Sequence, residues 1–350
     1  MKKIIILTCI LCIAILGYFS IPFTTSETND FYQPFTRSPQ ASAALQKTLN
    51  EEMKKGEADA VVMLEGDKLL AEWGETDTIS NVASVRKSLI SALFGIAEDK
   101  QLVNLQQTLG ELRINDTVNP LTETEKSATI EDLLKARSGV YLPSIGESQQ
   151  MKELRPKRGS YQPNEHYYYN NWDFNVLGVI FEQETGLSIG EAFYEWIAKP
   201  THMKQFRPEN VVYNTAEDTS IPMYRFYMCA EDLARFGALY ANDGVWNGKQ
   251  IIPKTWIDKS FTAYSTIEDV DQFTGYGYLW WLEDNNKLQW AVGAGGQFII
   301  VDRANKLVVA MMNNTGTTPL QVFLYRQFSK EETYAKARSI HHLAKKEIGK

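Results

Sequence analysis

The chain has 350 residues, of which 44% are hydrophobic, 12% aromatic and 23% charged, enough apolar mass for a sizeable core. That composition excludes intrinsic disorder, a collagen-like fibre and a polytopic membrane protein. With 36 basic against 43 acidic residues the net charge is −7; basic runs are confined to the chain ends, so no face suited to phosphates is evident and no nucleic-acid partner is expected.

At the start of the chain, Lys2 and Lys3 precede sixteen uncharged, mostly apolar residues from Ile4 to Phe19, the pattern of an export signal. The bulky Tyr18-Phe19-Ser20-Ile21-Pro22 offers no small-x-small cleavage site, so residues 1–23 fit either a signal peptide or an N-terminal membrane anchor. The protein is expected outside the cytoplasm, secreted or periplasmic, or tethered to a membrane through residues 4–19. Cys9 and Cys12 follow Thr8 and Leu11 rather than a small residue, which argues against lipid attachment. Cys229 is then the sole thiol of the body, and no intrachain disulfide is expected. Thr, Ser, Pro and Asn dominate residues 24–42, which read as a linker, and residues 43–350 read as one globular domain.

Residues 61–64 and 69–73, separated by Glu65-Gly66-Asp67-Lys68, read as a β-hairpin. Leu89, Ile90, Leu93, Phe94 and Ile96 recur at helical spacing, so 84–100 is an amphipathic helix with Ser84 in its first turn. Thr129-Ile130-Glu131-Asp132 resembles a capping box, and that helix stops at Gly139. Helical patterns continue over 171–183, 189–198 and 230–240. Strand signals return only at 276–282, 288–292, 297–302 and 307–313, before a closing helix over 321–345. Strands at both ends with helices between predict an α+β fold: an antiparallel sheet formed by both chain ends and flanked by helices, with an inserted, mainly helical lobe.

The four histidines, His166, His202, His341 and His342, show no metal-ligand spacing, and the only Cys-x-x-Cys lies in the N-terminal run, so no metal is expected. No Gly-x-Gly-x-x-Gly joins a strand to a helix, and no organic cofactor is expected either. What remains is Ser84-Val85-Arg86-Lys87. A Ser and a Lys at i and i+3 share one helix face, so the amine can approach the hydroxyl and accept its proton. The amine must be neutral for this, and partial burial at the positive end of a helix favours the neutral form. Taken alone the motif is weak, because such a pair arises by chance in a chain of this size. Tyr-x-Asn is no stronger, since Tyr168-Tyr169-Asn170, Tyr169-Asn170-Asn171 and Tyr240-Ala241-Asn242 all satisfy it.

In context, Val82-Ala83-Ser84-Val85-Arg86-Lys87-Ser88 resembles the nucleophile helix of the penicillin-recognising serine hydrolases, in the branch of class C β-lactamases, D-alanyl-D-alanine carboxypeptidases and related esterases. Thr129 to Leu134 with Ser138-Gly139 resembles that family's next landmark. Tyr169-Asn170-Asn171 followed by Leu177-Gly178 resembles its Tyr-x-Asn, which favours Tyr169 over Tyr168. Ala230 to Gly237 resembles a further family helix and leaves Tyr240 a packing aromatic. The resemblance spans about residues 61–313 and implies a β-lactamase-like fold.

It further implies that Ser84 is the nucleophile, that Lys87 and Tyr169 move protons, that Asn171 positions Tyr169 and contributes to substrate binding, and that Gly293 admits substrate to the adjoining strand. The Ser84 and Ala294 N–H groups would form an oxyanion hole. The third landmark departs: Ala291-Val292-Gly293 stands where relatives carry Lys-Thr-Gly or a His variant, so the cation that holds a substrate carboxylate is missing. The resemblance therefore implies hydrolysis of a small-molecule ester, amide or peptide without metal or cofactor. A cell-wall D-Ala peptidase or β-lactamase, and an inactive binding protein keeping the scaffold, are the alternatives. His166 lacks an acid partner for a triad and reads as packing or surface. Arg86 reads as a solvated or paired charge, Cys229 as a buried spectator, and Trp280, Trp281 and Trp290 as core first and cleft walls second.

Overall fold

Apolar strands from the two halves of the chain meet in one sheet of the computed structural model, which describes residues 26–54, 56, 58–267, 272–283, 285, 287–317 and 334–349. The strands in chain order are β1 (Ala60–Glu65), β2 (Lys68–Gly74), β3 (Ser80–Asn81), β4 (Val211–Asn214), β5 (Met223–Met228), β6 (Val245–Trp246) and β7 (Lys249–Gln250). They continue with β8 (Ser265–Thr266), β9 (Gly275–Tyr276), β10 (Trp281–Glu283), β11 (Leu288–Gly293), β12 (Gln297–Asp302) and β13 (Leu307–Met312). Six helices matter here: α1 (Ala43–Met53), α2 (Arg86–Asp99), α3 (Ile130–Leu134), α4 (Asn171–Thr185), α5 (Ala230–Ala241) and α6 (Tyr334–Glu347).

The sheet runs β2-β1-β13-β12-β11-β10-β9-β8, antiparallel at every pairing. The N-terminal hairpin is thus closed onto the C-terminal meander, with Val62 opposite Ala310 and Ile299 opposite Ala310 on the other side of β13. The central strands are buried on both faces, which is why β12 and β13 read as continuous apolar runs rather than alternating ones. On one face, α5 lies close enough that a Cβ on its Gly237 would stand 2.6 Å from Val308 and 2.8 Å from Ile299. On the other, Tyr334 of α6 packs its ring 5.1 Å from that of Phe298. Each large side chain buried this way contributes about 1.5–3 kcal/mol relative to exposure.

Helix α2 sits in the middle of the body, and every residue from Arg86 to Ala97 is buried. The expectation of an amphipathic helix is therefore corrected: its hydroxyls face other protein groups, Ser88 donating to Leu279 O at 2.8 Å and Ser91 to Tyr278 O at 2.8 Å. Three further corrections concern the elements. A three-stranded sheet, β3-β5-β4, lies inside the lobe expected to be helical; Met223 to Met228 is nearly all apolar and gave no period to read. The strand expected over 276–282 is two strands, β9 and β10, folded back with Tyr276 opposite Trp281. The reversal at Gly277 to Trp280 drives Trp280 into the core against Tyr240 and Phe261. Ser84 lies in a 3₁₀ turn, Ala83–Val85, just ahead of α2.

Residues 26–42, expected as part of a linker, instead lie partly on the body. Asn29 Nδ2 donates to Met203 O and Phe206 O, Ser38 N donates to Leu69 O, and Phe35 stacks beneath the Arg235 guanidinium at 4.0 Å. Polar composition suggested solvation, but these groups are taken up by specific partners. The N-terminal run of residues 1–25 and the first part of the expected closing helix, 321–333, lie outside the described residues; α6 forms the rest of that helix. Among the described residues no helix is long and apolar enough to cross a membrane.

Candidate active site

The turn that presents Ser84 is strained and held from two directions. Ala83 has φ +48°, a left-handed conformation that costs a residue with a Cβ about 1 kcal/mol or more. Its N–H donates to Asn81 Oδ1 at 2.9 Å, and the Val82 N–H donates to Phe226 O at 3.0 Å. Asn81 is in turn fixed by its own N–H, which donates to Thr315 Oγ1 at 3.1 Å. The segment just past β13 therefore braces the Ser84 turn, a link between residues more than 230 positions apart that local sequence does not signal.

Lys87 Nζ lies 2.6 Å from Ser84 Oγ and 2.7 Å from the Tyr169 hydroxyl. The amine also stands 4.5 Å from the Tyr169 ring centroid and 4.8 Å from that of Phe174. Burial, and secondarily the neighbouring Arg86 guanidinium, holds the Lys87 amine well below the usual lysine range, which favours the neutral base over the ammonium. Tyr169 is wedged between rings, with Phe174 at 4.9 Å, Trp281 at 5.1 Å and Tyr276 at 6.0 Å. Tyr168 points elsewhere and donates its hydroxyl to Met151 O at 2.6 Å.

The two asparagines after Tyr169 divide their work differently from the sequence expectation. Asn170 caps α4, accepting from the Trp172 N–H at 3.1 Å, while its Nδ2 donates to Val140 O and to Asp173 Oδ1. Asn171 opens α4 and is buried, and its Oδ1 has no hydrogen-bond partner among the described residues. Among the described residues no hydrogen bond from Asn171 to Tyr169 is found; Tyr169 is held by the Lys87 contact and its ring neighbours. Beneath this turn Asp173 accepts from Ser138 Oγ at 2.6 Å, and burial pushes its carboxyl well above the usual range.

Strand β11 closes the site from the sheet side. A Cβ on Gly293 would stand 2.4 Å from Val82 O and 3.2 Å from Ala83 Cβ, so the strand end reaches the Ser84 turn only because position 293 has no side chain. Ala294 follows, exposed, at the head of the turn to β12. Ala291 is buried, paired with Ile299. With Gly293 two residues on it shares one face of β11, and no charge is present at 291.

The remaining side chains sort by packing. His166 stacks on Tyr161, with centroids 4.1 Å apart; Cys229 is buried, and burial pushes its thiol well up; Trp280 and Trp290 are core. Trp281 is half-buried against Tyr169. Arg86, expected as a solvated or paired charge, is buried and bonded to the neutral Asn175 amide at 2.6 Å. The one sequence signal for this was the absence of any charge between Lys87 and Glu98, the mark of a helix covered all round.

An antiparallel sheet from both chain ends with the lobe inserted between them, and a Ser, Lys and Tyr converging at its edge, define a β-lactamase-like architecture. The family model described as Beta-lactamase matches residues 45–327, and the chain belongs to that family. It is 23% identical over 273 residues to an uncharacterized protein of Alkalihalophilus pseudofirmus, covering 69% of this chain and 76% of that one. It is 26% identical over 172 residues to a D-aminopeptidase of Brucella anthropi, covering 43% of this chain but 32% of that enzyme. Among solved structures, a protein assigned as a 6-aminohexanoate-dimer hydrolase of Bacillus anthracis superposes with a TM-score of 0.63 at 20% identity, covering 93% and 92% of the two chains. A family VIII carboxylesterase superposes with a TM-score of 0.61 at 14% identity, covering 89% and 99%. The chain is thus a hydrolase of the β-lactamase-fold family.

Proposed function

We propose that the protein is an exported serine hydrolase that cleaves an ester or amide bond through an acyl-enzyme on Ser84. The observation that carries this reading is the buried Lys87 amine, 2.6 Å from the Ser84 hydroxyl and 2.7 Å from that of Tyr169. Neutral Lys87 takes the Ser84 proton as Oγ bonds to the substrate carbonyl carbon. The resulting oxyanion is received by the Ser84 and Ala294 N–H groups. As the tetrahedral intermediate collapses, the proton passes from Lys87 through the Tyr169 hydroxyl to the leaving alcohol or amine. Water then enters, gives its proton to the same pair, and releases the carboxylic acid, returning the proton to Ser84. Because the amine must be neutral, activity is expected to fall as pH drops through the lowered Lys87 value.

Two features bear on the substrate. The charge missing at Ala291 favours neutral esters or amides over carboxylate-bearing β-lactams and D-Ala peptides, and the half-buried Trp281 beside Tyr169 offers an apolar wall. Export rests on the basic and apolar segment Lys2 to Phe19, whose fate as cleaved signal or tether is read by fractionating cells that express the full chain. The test of the reaction is a fluorophosphonate, with the adduct mapped by mass spectrometry. Ser84 is expected to carry the label, and labelling elsewhere, or equal labelling of Ser84→Ala, refutes the assignment.

A further inference from the structure

Arg86 stands between the two halves of the site. The residue is 3% exposed, with Nη2 2.6 Å from Asn175 Oδ1 and Cζ 4.4 Å over the Tyr224 ring. Asn175 belongs to α4, one turn beyond Asn171, and its Nδ2 donates to Ile145 O at 3.1 Å. The helix bearing Lys87 is thereby joined to the helix that follows Tyr169 by a buried, charge-assisted hydrogen bond. Nη1 has no hydrogen-bond partner among the described residues, and no carboxylate there forms an ion pair with Arg86. A buried cation without a counter-ion is a cost to stability that an apolar side chain of similar volume would avoid, so its presence beside the proton acceptor calls for a reason.

We propose that Arg86 is a positioning residue of the hydrolytic site: through Asn175 its planar guanidinium sets the Ser84 and Lys87 turn against the Tyr169 loop, with its fixed charge one residue from the proton acceptor. The inference rests on the reading of Lys87 as proton acceptor. The groups in contact with Lys87 are Ser84 from its own turn, Tyr169 from the loop before α4 and the Phe174 ring from α4, while the neighbouring Arg86 acts on it through its charge. Behind them stand Tyr276 of β9 and Asp173 of α4, whose phenol and carboxyl burial pushes well above their usual ranges. Tyr224, under Arg86, is pushed up to about 12. Burial first, and then the like charge of Arg86, disfavours the Lys87 ammonium.

The experiment compares Arg86→Met, Arg86→Lys and Asn175→Ala with the unmodified protein. One readout is the pH dependence of kcat/KM for p-nitrophenyl acetate. The other is the titration of Lys87 itself in protein labelled with ¹³Cε-lysine, the resonance being assigned by its loss in Lys87→Met. In Arg86→Met both the acid limb and the Lys87 titration are expected to move up by about one pH unit, a roughly ten-fold loss of rate on the acid side. Arg86→Lys keeps the charge, so its limb stays in place while kcat falls about ten-fold from the lost fork and stacking geometry. Asn175→Ala is expected to lower kcat with the limb unmoved. A folded Arg86→Met with limb and titration both unchanged overturns the electrostatic role. Normal kcat in Arg86→Lys and Asn175→Ala overturns the positioning role, including where Arg86→Met does not fold. If the unmodified protein turns over no ester, the ester reading fails and the Lys87 titration decides the electrostatic role by itself: a shift in Arg86→Met retains that role, and no shift rejects it.

Discussion

Replacing Gly293 by Ala adds a single methyl group at the place where β11 meets the nucleophile turn. That methyl would stand 2.4 Å from the Val82 carbonyl oxygen, a backbone atom fixed by its neighbours, and 3.2 Å from Ala83 Cβ. Carbon and oxygen tolerate about 3.3 Å or more, so the strand end and the turn must part by roughly 0.9 Å. Neither side yields freely: Val82 is tied to Phe226 O, Ala83 to Asn81, and β11 to β12 on its inner edge. Overpacking of this kind costs about 1–3 kcal/mol of stability. A displacement near 1 Å between Ser84 and the Ala294 N–H is worth about 10²-fold in rate, because the donors no longer meet the developing oxyanion. The assay is thermal unfolding beside kcat/KM for p-nitrophenyl acetate, with Gly248→Ala as the comparison. Gly248 has φ +74° but open space around its Cβ position, so Ala there costs about 1 kcal/mol of backbone strain and leaves the rate alone. Wild-type rate and melting temperature in Gly293→Ala would refute the close approach, and with it the placement of Ala294 as an oxyanion donor.

Tyr169→Phe keeps the packing against Phe174, Trp281 and Tyr276 and removes only the hydroxyl that contacts Lys87. Turnover is expected to fall about 10²-fold or more with little change in melting temperature, and a near-normal rate would return Tyr169 to a packing role. Short-chain p-nitrophenyl esters are expected to be hydrolysed far better than nitrocefin or a D-Ala-D-Ala peptide, since a missing charge-assisted hydrogen bond costs about 1.5–3 kcal/mol, or roughly 10- to 150-fold. Ala291→Lys is expected to recover only part of that difference, because position 291 is 1% exposed and a buried amine tends to the neutral form. Efficient nitrocefin hydrolysis by the unmodified protein would sink the argument.

The local patterns of this chain determined most of its elements, because the physics behind them is itself local, and the family resemblance singled out Ser84 with Lys87 from the chance occurrences of such a pair. The hairpin of β1 and β2 follows from two apolar runs around Gly66, α4 and α5 follow from helical spacing, and Ser84 with Lys87 follows from a three-residue separation that any helical turn converts into one face. Tyr169 was distinguished from Tyr168 by the downstream Leu177-Gly178, and the packing separates them independently, sending Tyr168 to Met151 O and Tyr169 to Lys87. Tertiary structure alone decided the rest. It split 276–282 into two strands, since the reversal is stabilised by burying Trp280 against α5 rather than by turn residues. It gave Met223 to Met228 to a second sheet, because a run that is apolar except for Arg225 carries no clear period. It docked Asn29 and Phe35 on the body through partners roughly 175 to 200 residues away. It also made Arg86 a buried charge: a guanidinium takes its meaning from what surrounds it, and Asn175 and Tyr224 reach it only once α4 and β5 have closed over α2.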